Sequence, residues 1–340
     1  MRSHQNLSPA QFVALCLGPG PQYQYLHGIL TSAQNDQRFW RKAVDLVGRH
    51  RLTPALWVAI RDKDLTRILD DELSQYLQSI YELNRLRNQL ILKQIGKLTK
   101  ALNASGIEPI LLKGAAGLAT NLYADPGQRV MTDIDILVAP EQFDTALQQL
   151  RQSGWSDYHQ VAPKLYRGSQ HAPPLWLDDG AGATVEVHHR LMRRKGLLST
   201  QECLRMVEPI TVDDANAYVL SANARMLHHL LHATVGGGWL GKFRTDLHQL
   251  YETTLLCGAF QNRVDWAFIE TSIRQFGLST PVQVHFAVAK TLFESPLTTA
   301  FSASALQRMR AFFHYKAAEY PQCEWLWSYI RLLKPPFYYR

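Results

Sequence analysis

The stretch Asp133-Ile134-Asp135-Ile136-Leu137-Val138 decides how this chain is interpreted. In a β-strand, residues two apart point to the same face, so the two aspartates share one face and the two isoleucines enter the other. Neighbouring carboxylates repel each other, and a hard divalent cation such as Mg²⁺, which prefers carboxylate and phosphate oxygens, removes that repulsion. We therefore predict a strand that carries a metal-dependent site for a phosphate compound. The alternative is an edge strand decorated with solvated acids.

A later segment, Thr184-Val185-Glu186-Val187-His188, supplies a third acid. Its alternation puts both valines on one face and places Glu186 with His188 on the other. If this strand lies beside the first, three carboxylates converge, and metal-dependent nucleotidyl transfer requires such a ligand set. The predicted catalytic residues, which are also the predicted ligands of Mg²⁺ or Mn²⁺, are Asp133, Asp135 and Glu186. His188 either touches substrate or is a hydrogen-bonded structural histidine.

Lys113 and Arg129 are two cations close in sequence to the acidic stretch. A short apolar strand, Ile110-Leu111-Leu112, ends at Lys113, and a turn at Gly114 leads into a helix of small residues. Both cations are suited to phosphate oxygens. In the alternative interpretation, Lys113 extends from the strand end into solvent and Arg129 pairs with Asp125.

Taken in order, these motifs resemble the bacterial "uncharacterised nucleotidyltransferase" family, a branch of the superfamily related to DNA polymerase β. The resemblance covers roughly residues 35 to 290 and rests on Leu111-Leu112-Lys113-Gly114-Ala115-Ala116, Leu122-Tyr123, Arg129, the Asp133 and Glu186 strands, His228, His232, Arg244 and Asp246-Leu247. It implies an α+β fold, with a polymerase β-like core of a small mixed sheet and helices between N- and C-terminal helical regions. It also implies an enzyme that moves a nucleoside monophosphate from an NTP to a hydroxyl-bearing acceptor and releases pyrophosphate.

The resemblance further implies roles for particular residues. The nucleotide-binding residues are Lys113, Gly114, Ala115 and Arg129. The accessory residues are His188, His232, Arg244 and Asp246.

The turn departs from the superfamily pattern and keeps other functions open. Members commonly have Gly-Gly or Gly-Ser there, whereas Gly114 is followed by Ala115, so a hydroxyl contact to the triphosphate is missing. A non-catalytic nucleotide-binding or regulatory module is one alternative, although three converging carboxylates argue for catalysis. The long gap between Gly114 and Asp133 resembles the branch that includes toxin-type enzymes. Together with the net charge of +7, it suggests an RNA-modifying nucleotidyltransferase as the other alternative.

Composition narrows the class of protein and its partners. The apolar fraction of 46% and charged fraction of 19% are typical of a folded protein, and 340 residues allow more than one domain. The basic balance favours an anionic partner: an NTP substrate, with a small molecule, a protein or RNA as acceptor. Four cysteines without Cys-x-x-Cys spacing argue against a zinc ribbon or a disulfide scaffold. We expect a cytoplasmic protein, because neither a signal peptide nor a membrane-spanning segment is evident.

The hydrophobic period predicts three regions: a helical region over 1–105, an α/β core over 106–205 and a helical region over 206–340. Ser8-Pro9 is a helix-start signal. A long helix after Asp70-Asp71 carries an apolar stripe predicted to pack, formed by Leu73, Tyr76, Leu77, Ile80, Leu83, Leu86, Leu90, Ile95, Leu98 and Leu102. Further helices are predicted over 222–234, 243–256 and 266–276.

Two groups of basic or metal-ligating residues have mainly structural interpretations. His228 and His232 lie four apart on one helix face, but no third zinc ligand is evident, so we expect His232 to hydrogen-bond a neighbouring helix, for instance through Asp246. A basic cluster follows the Glu186 strand and either guides an anionic acceptor or forms a solvated loop. Its members are Arg190, Arg193, Arg194 and Lys195.

Overall fold

The computed structural model describes residues 7–18, 23–158, 168–193, 196–236, 246–293, 301–309 and 311–312. The chain divides into two compact units. Unit 1 comprises residues 1–81, 230–261 and 266–340, and unit 2 comprises residues 82–229 and 262–265. Within the described ranges, no helix is both long enough and apolar enough to cross a membrane.

Unit 2 is built on a mixed seven-stranded sheet. Its strands are β1 (Ile110–Leu111), β2 (Asp133–Leu137), β3 (Ser156–Asp157), β4 (Leu175–Trp176), β5 (Thr184–His188), β6 (Val207–Val212) and β7 (Ala215–Leu220). Their order is β3-β4-β5-β2-β1-β7-β6, with β2 parallel to β5, β1 parallel to β7 and the other neighbours antiparallel. The predicted α+β class is confirmed.

Along the sequence, α-helices precede, separate and follow the strands of the sheet. They are α1 (Pro9–Leu17), α2 (Tyr23–Ala33), α3 (Gln37–Arg49), α4 (Thr53–Asp62), α5 (Asp71–Asn103), α6 (Lys113–Ala119), α7 (Phe143–Gln152), α8 (Thr200–Leu204), α9 (Ala222–Leu231), α10 (Leu247–Ala259), α11 (Trp266–Gln275) and α12 (Ser279–Phe293). Short 3₁₀ segments occupy Thr66–Ile68, Pro126–Gln128 and Pro140–Gln142, and a π-helical turn follows α9 over His232–Gly236.

The start of α1 shows why the local sequence forms a helix there. Ser8 accepts a hydrogen bond from the Gln11 backbone N–H, and the Gln11 side chain accepts one from the Ser8 backbone N–H, which is a reciprocal capping box. Pro9 occupies the first turn, where its missing N–H costs nothing. The predicted helix start is confirmed. In the same unit, Phe12 packs edge-on against Phe39 and Trp40 at ring-centroid distances of 5.1 and 5.5 Å.

The apolar stripe predicted on α5 is correct at Leu77 and over its last turns and wrong at several positions before them. Leu77, Ile95, Leu98 and Leu102 are buried, whereas Tyr76, Leu83, Leu86 and Leu90 are exposed. The face buried between residues 84 and 94 is largely polar, with Asn84, Asn88 and Gln94 beside the apolar Ile91. Hydrophobic periodicity could not reveal this face, because its side chains are buried against backbone carbonyls rather than against an apolar core.

The helices predicted over 222–234, 243–256 and 266–276 correspond to α9, α10 and α11, but the strand pair β6 and β7 precedes them and was not predicted. Asp213 and Asp214 connect the strands with φ values of 49° and 63°, as a two-residue type I′ hairpin loop requires. Asn-Gly and Asp-Gly are the stronger sequence signals for this turn, so the Asp-Asp pair was missed. The division into three regions stays a prediction.

Candidate active site

The two acidic strands lie side by side in unit 2. Strands β2 and β5 are parallel, and their register places Asp133 opposite Thr184 and Asp135 opposite Glu186. Because alternate residues of each strand share a face, the Asp135 and Glu186 carboxylates stand on the same side of the sheet. On the other side Ile134, Ile136, Val185 and Val187 are fully buried. The expected convergence of the acids required these two strands to be neighbours, and they are.

His188 completes a compact group with these acids. One ligand atom from each of Asp135, Glu186 and His188 lies within 4.8 Å of the others. His188 Nε2 is 2.9 Å from Asp135 Oδ1 and 3.7 Å from Glu186 Oε2. Metal–ligand bonds of about 2.1 Å require adjacent ligand atoms to lie about 3 to 4 Å apart, so these donors fit a single divalent cation.

Lys113 holds the buried carboxylate of Asp135. Its Nζ lies 2.7 Å from Asp135 Oδ1, the oxygen that His188 also contacts. Burial alone would raise the pKa of Asp135, but the charge of Lys113 and the hydrogen bond from His188 outweigh it and hold that pKa far below the usual range. Burial would likewise lower the pKa of Lys113, and the carboxylates of Asp135, Asp133 and Glu186 raise it instead.

Asp133 stands at the start of β2 and has a different environment. Burial, followed by repulsion from Asp135, raises its pKa, while Lys113 and Arg129 act in the opposite direction. Its carboxylate is not part of the three-ligand group found within the described residues. Its charge nevertheless acts on the same site, and its predicted role as a metal ligand stays a prediction.

The backbone at the start of α6 differs from the expected turn. Lys113 itself has the positive φ, 45°, and Gly114 is an ordinary residue of the helix. Left-handed backbone is uncommon at a long side chain such as lysine, and residues with this strain occur at functional sites as well as in turns. The absence of a side chain at Gly114 instead accommodates Met131, since a Cβ there would lie 3.2 Å from the Met131 sulfur. Ala115 follows Gly114 inside the helix and is buried.

Arg129 is positioned by its neighbours at the same end of β2. Its Nε donates a hydrogen bond to the Tyr123 hydroxyl at 3.2 Å, and a second guanidinium N–H donates to the Val130 carbonyl. Tyr123 itself packs against Gly117 of α6, where a Cβ would lie 2.6 Å from the tyrosine ring. Gly117 therefore leaves the space that allows Tyr123 to reach Arg129.

The buried polar face of α5 supports the loop before β2. Asn84 donates to the carbonyls of Gly127 and Arg129 at 2.7 and 3.0 Å. Asn88 donates to the carbonyls of Pro126 and Arg129 at 2.6 Å each. The loop that carries Arg129 is thereby fastened to a long helix. These residues were not predicted, although two asparagines four apart on an otherwise apolar helix face were a visible signal.

Arg87 extends the same support to the second acidic strand. Its guanidinium donates to the carbonyl of Met131, before β2, and to the carbonyl of Gly182, before β5, the latter at 2.9 Å. One side chain therefore bridges the segments that lead into both strands, which helps to hold their register.

His171 is a further candidate functional residue, and it was not predicted from the sequence. Its Nε2 lies 3.6 Å from Glu186 Oε2, and its ring lies 4.9 Å from the His188 ring. A backbone bridge between His171 and His188 brings it to this place. Burial lowers the pKa of His171 and outweighs the opposing effect of Glu186. Only the tertiary structure could identify it, because positions 171 and 186 are 15 positions apart along the chain.

The basic cluster after β5 is partly described. Arg190 donates to the carbonyls of Gly168 and Ser169 at 3.0 and 2.9 Å, so it fastens the segment that leads to His171. Arg193 is exposed. Arg194 and Lys195 lie outside the described residues, as does the predicted accessory residue Arg244.

The other predicted accessory residues, His232 and Asp246, belong to unit 1. Asp246 is the N-cap of α10 and accepts a hydrogen bond from the His248 backbone N–H at 3.0 Å. It also lies 3.6 Å from His50 Nδ1. His232 opens the π-helical turn, and its hydrogen bond to a neighbouring helix stays a prediction.

Comparison with known proteins agrees with the resemblance read from the motifs. A family model described as "Uncharacterised nucleotidyltransferase" matches residues 36–294. Among solved structures, the chain is similar to an antigenic nucleotidyltransferase-like protein from Paracoccidioides brasiliensis, at 14% sequence identity and a TM-score of 0.35. That similarity covers 60% of this chain and 97% of the other, and at this TM-score it supports no further statement. Comparison with curated proteins found no match.

Proposed function

The chain belongs to the family of uncharacterised nucleotidyltransferases, and we propose that it transfers a nucleoside monophosphate from an NTP to a hydroxyl-bearing acceptor, releasing pyrophosphate. The observation that carries this proposal is the convergence of Asp135, Glu186 and His188 on one face of the sheet. Asp133 is the first residue of β2, the strand that carries Asp135. The coarser statement, a role in nucleotidyl transfer, follows from family membership.

In this proposal Asp133, Asp135 and Glu186 hold a divalent cation, with Mg²⁺ or Mn²⁺ as the expected ions. When bound, such a cation neutralises the phosphate oxygens and stabilises the leaving pyrophosphate. Asp135 is well suited to this role, because its low pKa keeps it ionised.

The reaction requires a proton acceptor and a displaced leaving group. The acceptor hydroxyl oxygen attacks the α-phosphorus of the NTP, and its proton passes to a carboxylate oxygen of Glu186. The bond between the α-phosphorus and the oxygen bridging to the β-phosphate breaks, and pyrophosphate leaves with that electron pair. Glu186 is the more accessible acid, since 19% of its side chain is exposed against 3% for Asp135.

The triphosphate would be bound by the predicted residues at the start of α6 and before β2. Lys113 and Arg129 supply positive charge on the acidic face, and Gly114 and Ala115 contribute backbone close to it. The rigid support of the Arg129 loop by Asn84 and Asn88 favours this role, because a preorganised cation loses little entropy on binding phosphate.

A direct test is transfer of label from each α-³²P NTP to small-molecule, protein and RNA fractions, with Mg²⁺ or Mn²⁺. We expect label in one fraction with the wild-type protein, and a loss of at least about 100-fold in Asp135→Asn and in Glu186→Gln. Glu208→Gln is the matched control, because Glu208 lies on β6 of the same sheet and its half-exposed carboxylate pairs with Arg263. Absence of label with every NTP and fraction would contradict the proposal.

One observation favours a second function, a nucleotide-binding module without turnover. The Lys113 ammonium lies 2.7 Å from the Asp135 carboxylate, so a cation of the protein itself already compensates this buried negative charge. In that case equilibrium dialysis would detect NTP binding that Lys113→Met weakens, while no label is transferred. Label found in RNA would instead support the RNA-modifying function.

A further inference from the structure

We infer that the acidic site contains nitrogen ligands from His188 and His171 and therefore selects a divalent first-row transition-metal ion over Mg²⁺. This inference rests on the proposed function, because it concerns the cation of the same site. The sequence alone led us to expect an all-carboxylate set of Asp133, Asp135 and Glu186, for which Mg²⁺ is the ordinary ion.

The first observation is the composition of the cluster. The three side chains whose ligand atoms lie within 4.8 Å of one another are two carboxylates and an imidazole. His188 Nε2 faces both carboxylates, at 2.9 Å from Asp135 and 3.7 Å from Glu186. An imidazole nitrogen is a good ligand for transition metals and a poor one for Mg²⁺.

The second observation is the orientation of the histidine rings. His188 Nε2 donates to Asp135 Oδ1 at 2.9 Å, and a bound ion would take the place of that proton. His171 Nδ1 lies 2.8 Å from the Ala172 carbonyl, which can only accept, so Nδ1 of His171 is the donor and its Nε2 is directed at Glu186. Histidines that bind metals characteristically hold their other ring nitrogen against a carbonyl or carboxylate in this way, which fixes the tautomer and the ring orientation.

The third observation is that His171 approaches Glu186 from a separate segment. Its Nε2 is 3.6 Å from Glu186 Oε2, a separation that two ligands of a single ion can have. The backbone bridge between positions 171 and 188 sets the two rings 4.9 Å apart. Glu186 thus has an imidazole nitrogen within 4 Å from each of two segments.

The test uses Mn²⁺ as the probe on the full-length protein without nucleotide, followed by electron paramagnetic resonance. We expect Mn²⁺ to bind at about one ion per chain, with Mg²⁺ displacing it only at concentrations at least about tenfold higher. Pulsed measurements on the bound ion should show coupling to directly coordinated ¹⁴N. His171→Gln and His188→Gln should each lose part of that coupling and weaken Mn²⁺ binding by about 10- to 100-fold, with little change for Mg²⁺.

His189→Gln is the matched control, because His189 is the next residue along the chain and packs against the Phe143 ring at 4.7 Å. Since His188 is buried and its replacement can affect folding, His171→Gln provides the second variant, and circular dichroism verifies the fold of each. Equal displacement by Mg²⁺, or bound Mn²⁺ without ¹⁴N coupling, would overturn the inference.

The two proposals fail in different ways. Label transfer together with equal Mn²⁺ and Mg²⁺ affinity would support the proposed activity and overturn only the inference that the site has nitrogen ligands. Nitrogen-coordinated Mn²⁺ without transfer to any acceptor would uphold the inference and contradict the proposed activity. Absence of bound Mn²⁺ would overturn the inference, and the labelling experiment would decide the activity separately.

Discussion

His188 Nε2 lies 2.9 Å from Asp135 Oδ1, and this buried hydrogen bond joins β5 to β2 at the centre of the candidate site. Lys113 reaches the same oxygen from α6. Three elements of unit 2 therefore meet at one carboxylate atom. Because this carboxylate is almost fully buried, each of its partners should affect both stability and chemistry.

Replacing Lys113 by Met should destabilise the protein by about 2 kcal/mol, because the buried Asp135 charge loses its closest cation. The free energy of unfolding in urea measures the effect. In the Asp135→Asn background the same replacement should cost much less, since no charge remains to be compensated. Equal costs in the two backgrounds would show that Lys113 and Asp135 are not coupled.

Replacing Gly117 by Ala should destabilise the protein by about 1 to 3 kcal/mol, because the new Cβ would lie 2.6 Å from the Tyr123 ring. Displacement of Tyr123 should also release Arg129 and raise the KM for the NTP. Gly48→Ala in α3 is the matched control, since nothing lies within 4 Å of its Cβ position, and it should stabilise by about 0.5 to 1 kcal/mol. Similar stability changes in the two variants would contradict the packing argument.

Asp246→Asn should lower stability at pH 7 by about 1 kcal/mol while retaining the helix cap. Burial would raise the pKa of Asp246, but His50 and His248 outweigh it and lower the pKa. A carboxyl whose pKa is lower in the folded state stabilises the protein above its unfolded pKa, and loses that contribution as the pH falls through the folded pKa. The difference between wild type and variant should therefore shrink below about pH 4.

Urea unfolding of both proteins at several pH values tests this prediction. Asp45→Asn provides an exposed control in the same unit, because 63% of the Asp45 side chain is accessible. A stability difference for Asp246→Asn that stays constant down to about pH 2 would exclude a charge effect.

Three thiols should react slowly in the native protein. Burial raises the pKa of Cys16, Cys203 and Cys257 to about 12 in each case, so little thiolate exists near pH 8. We expect alkylation by iodoacetamide to be at least about 100-fold slower in buffer than in guanidinium chloride, as followed by peptide mass spectrometry. Rapid native alkylation of any of these three peptides would contradict the raised thiol pKa values.

Local pattern was sufficient for those features that depend on neighbouring residues. The start of α1 followed from Ser8 and Pro9, and the faces of β2 and β5 followed from alternation. The polar face of α5 and the turn at Asp213 and Asp214 were missed, because asparagines buried against carbonyls and an Asp-Asp hairpin leave weak sequence signals.

By itself the sequence determined which residues could share a face: Asp133 with Asp135, and Glu186 with His188. The physical reason is that strand alternation arises from backbone sterics within a few residues. Only the tertiary structure decided that Asp135 lies beside Glu186 and that Lys113 and His171 join them. Those contacts depend on the parallel register of two strands and on loops distant in the chain, which non-local packing and hydrogen bonding set.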